Sequence, residues 1–414
     1  AVRIQEMKQM VLALHSRGIG VIMDVVFNHT YRRDDSNLQK IVPGYYYRSD
    51  ETGYTNGSGC GNEVASDRPM VQKLIVDSLI YWAKEYHIDG FRFDLMGVLD
   101  IDTMNVIAER LKEIRPDIYL YGEGWNGGPS SLAEEKRAFK ASAKKMPGIG
   151  MFNDDIRDTI KGSVFYDDHL GFVNGGTHLE NALRYGITGA VAHPQVDYDA
   201  YGSRPWAKEP GQSINYVSCH DNYTLWDKLS VSCPEASEEK KKAMNRLCAA
   251  IVFTSQGVPF IQAGEEFLRS KPLPEKKGFA ENSYNMPDAV NSIKWDNIHE
   301  YPDMIAYYKG LMALRKAHPV FRMQSEAEMT QNLCFLSDTP ENVVAYLLKG
   351  KGADDTPENI LVIFNGNDEE ILYNLPEGKW KILVDDKTAG ADGKKNISEK
   401  ADVEPLSALV LEKE

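Results

Sequence analysis

The sequence predicts an α/β protein: a partial (β/α)8 barrel lacking about two N-terminal strands, followed by an antiparallel β-sandwich. Three observations predict it. Short apolar runs alternate with segments of helical periodicity over most of the chain, which is the pattern of parallel βαβ units. Each of those runs ends in polar or glycine residues, as barrel strands do where they build a working face. After Pro319 the helical segments stop, and short strands separated by turn residues take over. The expected domains are therefore 1–319 for the barrel and 320–414 for the β-sandwich.

The elements follow in order. Residues 3–15 place Ile4, Met7, Val11 and Leu14 on one helical face, with Gly18 past the end. Ile19 to Phe27 is a nearly continuous apolar run, as in a strand buried on both faces. A stretch rich in Tyr, Gly and Asn, residues 30–66, reads as a loop. Residues 70–86 are helical, with Val71, Leu74, Leu79 and Trp82 on one side, and lead into a strand ending at Asp94. Residues 102–115 carry Met104, Ile107, Leu111 and Ile114 at helical spacing and stop at Pro116. A strand at 118–121 runs into Gly122-Glu123-Gly124-Trp125. Helices are then expected around 130–144, near 178–186, at 237–254 and at 304–317. Strands are expected at 148–153, 214–218 and 258–262. The sandwich strands fall at 333–336, 343–348, 360–365, 379–384 and 408–411. Only six barrel strands are countable, and an open six-stranded sheet leaves edges exposed. The helix at 3–15 calls for a strand before it, so the two remaining strands are expected from polypeptide upstream of residue 1.

Bulk properties narrow the function. The chain has 414 residues, 42% hydrophobic and 26% charged, an ordinary globular composition. A formal net charge of -14 argues against nucleic-acid or anionic-membrane partners, because no basic patch offsets it. No run is long and apolar enough to span a membrane. The five cysteines are far apart and lack any CxxC spacing, which argues against a disulfide framework or a zinc site.

Four expected strand ends carry polar clusters: Asp24-Val25-Val26-Phe27-Asn28-His29, Arg92-Phe93-Asp94, Glu123, and His220-Asp221-Asn222. Alternation in a strand points Phe91 and Phe93 one way and Arg92 and Asp94 the other. An Arg beside an Asp favours the carboxylate form, and a positioned carboxylate can attack carbon. Together Asp94, Glu123, Asp221, His29, His220 and Arg92 bring three carboxylates, two imidazoles and a guanidinium to one rim. That set suits cleavage of a glycosidic bond, which needs one carboxylate as nucleophile and one carboxylic acid to protonate the leaving oxygen. Asp94 suits the nucleophile. Glu123, between glycines and beside Trp125, suits the acid, because an apolar wall favours the neutral carboxyl. Asp221 could bind sugar hydroxyls and favour an oxocarbenium-like state, with His29 and His220 on the same ring.

These four clusters resemble the ordered motifs of the α-amylase superfamily (glycoside hydrolase family 13). The likeness is narrower still. The stretches Pro43–Arg48, Asn56–Ser66, Gly90–Gly97, Tyr121–Trp125, Asn215–Asn222 and Asn282–Asp288 resemble type I pullulanases. The resemblance implies Asp94 as nucleophile, Glu123 as acid/base and Asp221 as transition-state stabiliser, with Arg92, His29 and His220 lining the same subsite. It implies further substrate contacts from Trp125, Asn222, Tyr47, Asn282, Tyr284 and Asp288. The substrate implied is an α-glucan cleaved at α-1,6 branch points with retention. Two alternatives stay open: another glucan enzyme of the superfamily, such as a branching enzyme or transferase, and a non-catalytic glucan-binding fragment. No organic cofactor is implied and no metal ligand set can be assembled, although the position of Asn28 helps bind calcium in α-amylases.

Overall fold

In the computed structural model, which describes residues 2–201, 203–275, 277–352 and 357–414, the chain divides into two units. These are Ala1–Phe152 with Trp206–Lys208, and Asn153–Pro205 with Glu209–Glu414. In the first unit the apolar runs become four parallel strands, β1 (Ile22–Val25), β2 (Gly90–Phe93), β3 (Tyr119–Gly122) and β4 (Ile149–Phe152), paired in that order. Helices α1 (Val2–His15), α2 (Pro69–Tyr86) and α3 (Ile101–Lys112) connect or flank them. Local chemistry sets their ends. Pro69 sits at the start of α2, where a missing N–H costs nothing, and His87 closes that helix in the left-handed region at φ 56°. The Asp100 side chain caps α3 by accepting from the Thr103 N–H at 2.8 Å.

Register is what positions chemistry in this sheet. Asp24 pairs with Arg92, and Arg92 pairs with Tyr121. Neighbours in register point to the same face, so Asp24 and Arg92 project together while Phe91 and Phe93 are wholly buried.

The second unit holds α4 (Asp154–Lys161), α5 (Glu180–Ile187), β5 (Ser213–Asn215), α6 (Leu225–Ser232), α7 (Glu238–Thr254), β6 (Val258–Pro259) and α8 (Pro302–Ala317). Strands β5 and β6 are parallel. Then come β7 (Leu333–Phe335), β8 (Val343–Lys351), β9 (Pro357–Asn365), β10 (Ile371–Val384), β11 (Asn396–Val403) and β12 (Ser407–Lys413). They form one antiparallel sheet in the order β11-β10-β12-β9-β8-β7. Register breaks in β10 bend this sheet. One face gathers Val343, Leu361, Ile363, Tyr373, Trp380, Val403, Leu409 and Leu411 into a core. Tyr346, on the opposite face, gives its hydroxyl to the Thr254 carbonyl at the end of α7, at 3.1 Å.

The predicted class holds: six parallel strands, four in the first unit and two in the second, precede an antiparallel β domain. Details differ. The helix expected around 130–144 is two 3₁₀ segments, Glu134–Lys136 and Lys140–Lys145. Helices α4 and α6 and strand β11 were not expected. Among the described residues no helix is long and apolar enough to cross a membrane.

Candidate active site

Strand β2 delivers the centre of the site. Arg92 is 5% exposed, and its guanidinium reaches three carboxylates. Nη1 lies 2.9 Å from Asp24 Oδ1 and 3.0 Å from Asp94 Oδ1, and Nη2 lies 2.6 Å from Glu123 Oε1. Burial alone would push Arg92 down. The charges of Glu123, Asp24 and Asp94 outweigh it and hold the guanidinium above its ordinary range, so it stays a fixed cation. The Phe152 ring lies 5.8 Å from that guanidinium and limits its desolvated side.

Asp94 and Glu123 are also held from their other sides. Asn28, wholly buried, donates through Nδ2 to both Asp94 O and Asp94 Oδ2 at 2.8 Å. Asn28 Oδ1 in turn lies 2.5 Å from His29 Nδ1, so an N–H at that nitrogen completes a His29–Asn28–Asp94 chain. Directly after Asp94 the backbone turns through Leu95 in the left-handed region, φ 38°, which aims the Leu95 N–H at Glu123 Oε2 at 2.8 Å. Gly97 then packs where a side chain cannot. A Cβ there would meet the Trp125 carbonyl oxygen at 2.4 Å, and the Gly97 N–H bonds the carbonyls of Glu123 and Trp125 at 3.1 Å. Glu123 therefore meets charged and N–H partners where the sequence suggested an apolar wall. Trp125 is partly exposed, with its ring 6.5 Å from that of Phe152.

Tyr47 takes a different place from the one implied for it. It is fully buried, and its hydroxyl lies 2.7 Å from Thr30 Oγ1 and 2.9 Å from Ser36 Oγ, so it pins the 30–47 loop.

In the second unit, the segment after β5 carries His220, Asp221 and Asn222. His220 and Asp221 side chains are more than half exposed, with Nε2 and Oδ2 3.5 Å apart, and Asn222 turns the chain at φ 60°. Two buried groups fix this turn. Ser218 Oγ donates to Glu265 Oε2 at 2.6 Å. Lys271, 1% exposed, gives Nζ to the Asn222 carbonyl at 2.6 Å and to Ser283 Oγ at 3.1 Å. It thereby ties the turn to the loop bearing Asn282, Tyr284 and Asp288. Burial pushes the Lys271 ammonium down from its ordinary range, against the pull of Asp227. All three loop residues are exposed, Tyr284 by 80%.

Sequence reasoning named the carboxylates and Arg92 but missed the other residues that hold them. Asp24 and Asn28 stood inside the first cluster, yet only strand register reveals that they serve Arg92 and Asp94. Lys271 left no motif at all. Asn28 directs its amide nitrogen to Asp94 and its amide oxygen to His29.

Comparison with known proteins bears on this geometry. Residues 330–388 match the family model "Pullulanase, all-beta domain". The pullulanase of Bacillus subtilis is 42% identical over 385 residues, which is 92% of this chain and 52% of that protein. The pullulanase structure from Bacillus acidopullulyticus superimposes with a TM-score of 0.91 at 42% identity, over 99% of this chain and 48% of that one. The chain is similar to pullulanases over nearly all of its length. It spans about half the length of the curated relatives it matches. Another pullulanase structure, from Paenibacillus barengoltzii and in complex with maltohexaose and α-cyclodextrin, gives a TM-score of 0.89 at 42% identity, over 99% of this chain and 61% of that one. The likeness to pullulanases thus extends from the β domain through both sets of parallel strands.

Proposed function

We propose that this chain carries the catalytic carboxylates of a debranching glycoside hydrolase, which cleaves α-1,6-glucosidic linkages in pullulan and related α-glucans with retention. The observation that carries the reading is the single Arg92 guanidinium holding Asp94 on Nη1 and Glu123 on Nη2. Two carboxylates on one guanidinium are compatible with the short separation, about 5 Å, that a double displacement uses. Asp94 attacks the anomeric carbon while Glu123 gives its proton to the departing glycosidic oxygen. Glu123 then takes a proton from water, which releases the sugar from Asp94. Asp221 keeps the stabilising role that the resemblance gives it, and Trp125, His29 and His220 remain candidate sugar contacts. The named complex of a relative with maltohexaose supports an α-glucan as substrate. The reaction draws on carboxylates alone, so we propose no organic cofactor.

We also propose that full activity requires further polypeptide beside β1. Among the described residues this strand pairs only with β2, and Ile22 and Val26 are 40% and 52% exposed.

The test is incubation with pullulan of a chain extended upstream. Maltotriose is the expected main product, and the Asp94→Asn variant should lose at least about 10³-fold in turnover while keeping its circular dichroism and melting temperature. Release of α-1,4 products alone, or wild-type turnover in the variant, would overturn the reading.

A further inference from the structure

Away from the carboxylate rim, the second unit holds a small polar cluster that the proposed chemistry does not use. His318 ends helix α8, Glu358 lies in β9 and Glu412 in β12. Ile360 is two residues from Glu358 and pairs with Glu412, so both carboxylates stand on one face of the sheet. One ligand atom from each of the three residues lies within 4.8 Å of the other two. The His318 and Glu358 side chains are 7% and 4% exposed and bonded to each other through Nδ1 and Oε1. That bond leaves His318 Nε2 and Glu358 Oε2 buried with no hydrogen-bond partner among the described residues. Buried polar atoms are paired in roughly 90% of cases, so two orphans in one cluster ask for a ligand.

We propose that His318, Glu358 and Glu412 bind a divalent cation of the zinc class. One imidazole nitrogen and two carboxylate oxygens are a mixed N/O set suited to Zn²⁺, with water completing a four-coordinate shell. Calcium, which takes six to eight oxygens, is poorly served by it. The carbonyl end of α8 adds a favourable dipole. Lys381, whose Nζ is 3.8 Å from Glu412 Oε2, is about one-third exposed and can turn to solvent. The bound cation clamps the last helix of the α/β part to two strands of the β domain.

The test is titration of the EDTA-stripped, dialysed chain with ZnCl₂, read by calorimetry and by melting temperature. One saturable site and a raised melting temperature are expected. Glu412 is 30% exposed, so Glu412→Gln should fold normally yet weaken Zn²⁺ binding by about tenfold or more. Unchanged binding in Glu412→Gln, no saturable site in the wild type, or CaCl₂ binding as tightly as ZnCl₂ would overturn the proposal.

Discussion

Asp94 owes its position to two residues that do no bond chemistry themselves. Arg92 supplies charge from one side, and Asn28 supplies two N–H···O bonds from the other. Hydrogen bonds to charged groups contribute about 1.5–3 kcal/mol each, and a buried acceptor left without its donor costs comparably. Replacing Asn28 by Ala removes both bonds and cuts the link to His29. We expect Asn28→Ala to lower kcat on pullulan by about 10–100-fold with a smaller change in KM, because the loss falls on the carboxylate proposed as nucleophile and not on the bound glucan. Parallel steady-state kinetics and thermal melts check this. An unchanged kcat would mean that Arg92 alone holds Asp94. In the sequence Asn28 stood next to His29 within a recognised cluster, so its neighbourhood was legible. Its partner was not, because Asp94 is 66 residues away and only the fold brings the two together.

At the scale of elements, what could be read was what burial dictates locally. β1, β2 and β3 announced themselves as apolar runs ending in polar residues, and α2, α3 and α7 as 3.6-residue periodicities. β11 escaped because, among the described residues, it pairs only with β10. As an edge strand it presents Glu399, Lys400 and Asp402 to solvent and buries only Ala401 and Val403 beneath them. Helix α4 escaped because eight residues are too few for periodicity to stand out. The turn joining β2 to α3 is a junction whose sequence requirement becomes plain only in three dimensions. Gly97 sits within van der Waals distance of the Trp125 carbonyl, and a Cβ would also meet Phe139 at 2.6 Å. Gly97→Ala must therefore push the 95–98 turn away from the loop carrying Glu123 and Trp125. We expect it to destabilise the chain by about 1–3 kcal/mol and to reduce turnover, since Leu95 N–H and Glu123 Oε2 separate together. Denaturant midpoints and pullulan kinetics on one preparation test this. A stable variant with full activity would show that the turn relaxes freely.

Across the molecule, ionisable groups are not confined to the surface, and the second unit pays for this with a pH dependence of its own. Glu265 is 3% exposed, held by Ser218 Oγ and by the Tyr308 hydroxyl at 3.2 Å. Burial pushes its carboxyl up from 4.5 to about 7, with those hydrogen bonds and the Lys161 charge opposing. Burial likewise pushes Lys161, 1% exposed, down to about 8. The signs follow from proton uptake. Between about pH 4.5 and 7 the folded chain holds a proton on Glu265 that the unfolded chain has lost, so stability from this group is full below 4.5 and falls as pH rises to 7. Between about pH 8 and 10.5 the unfolded chain holds a proton on Lys161 that the folded chain lacks, so stability from that group is full above 10.5 and falls as pH drops to 8. The two contributions leave a minimum near neutrality. A shift of that size in Glu265 corresponds to a loss on the order of 3 kcal/mol from pH 4.5 to 7. Glu265→Gln keeps the shape and removes the titration. Denaturant midpoints measured from pH 4.5 to 7.5 should fall more steeply for the wild type than for the variant, with all shared titrations cancelling in the difference. Parallel curves would mean that Glu265 is ionised throughout, with Lys161 as its counter-ion. Its bond to Ser218 would then anchor the His220–Asp221 turn through a permanent charge, and that turn would keep one geometry over the whole range.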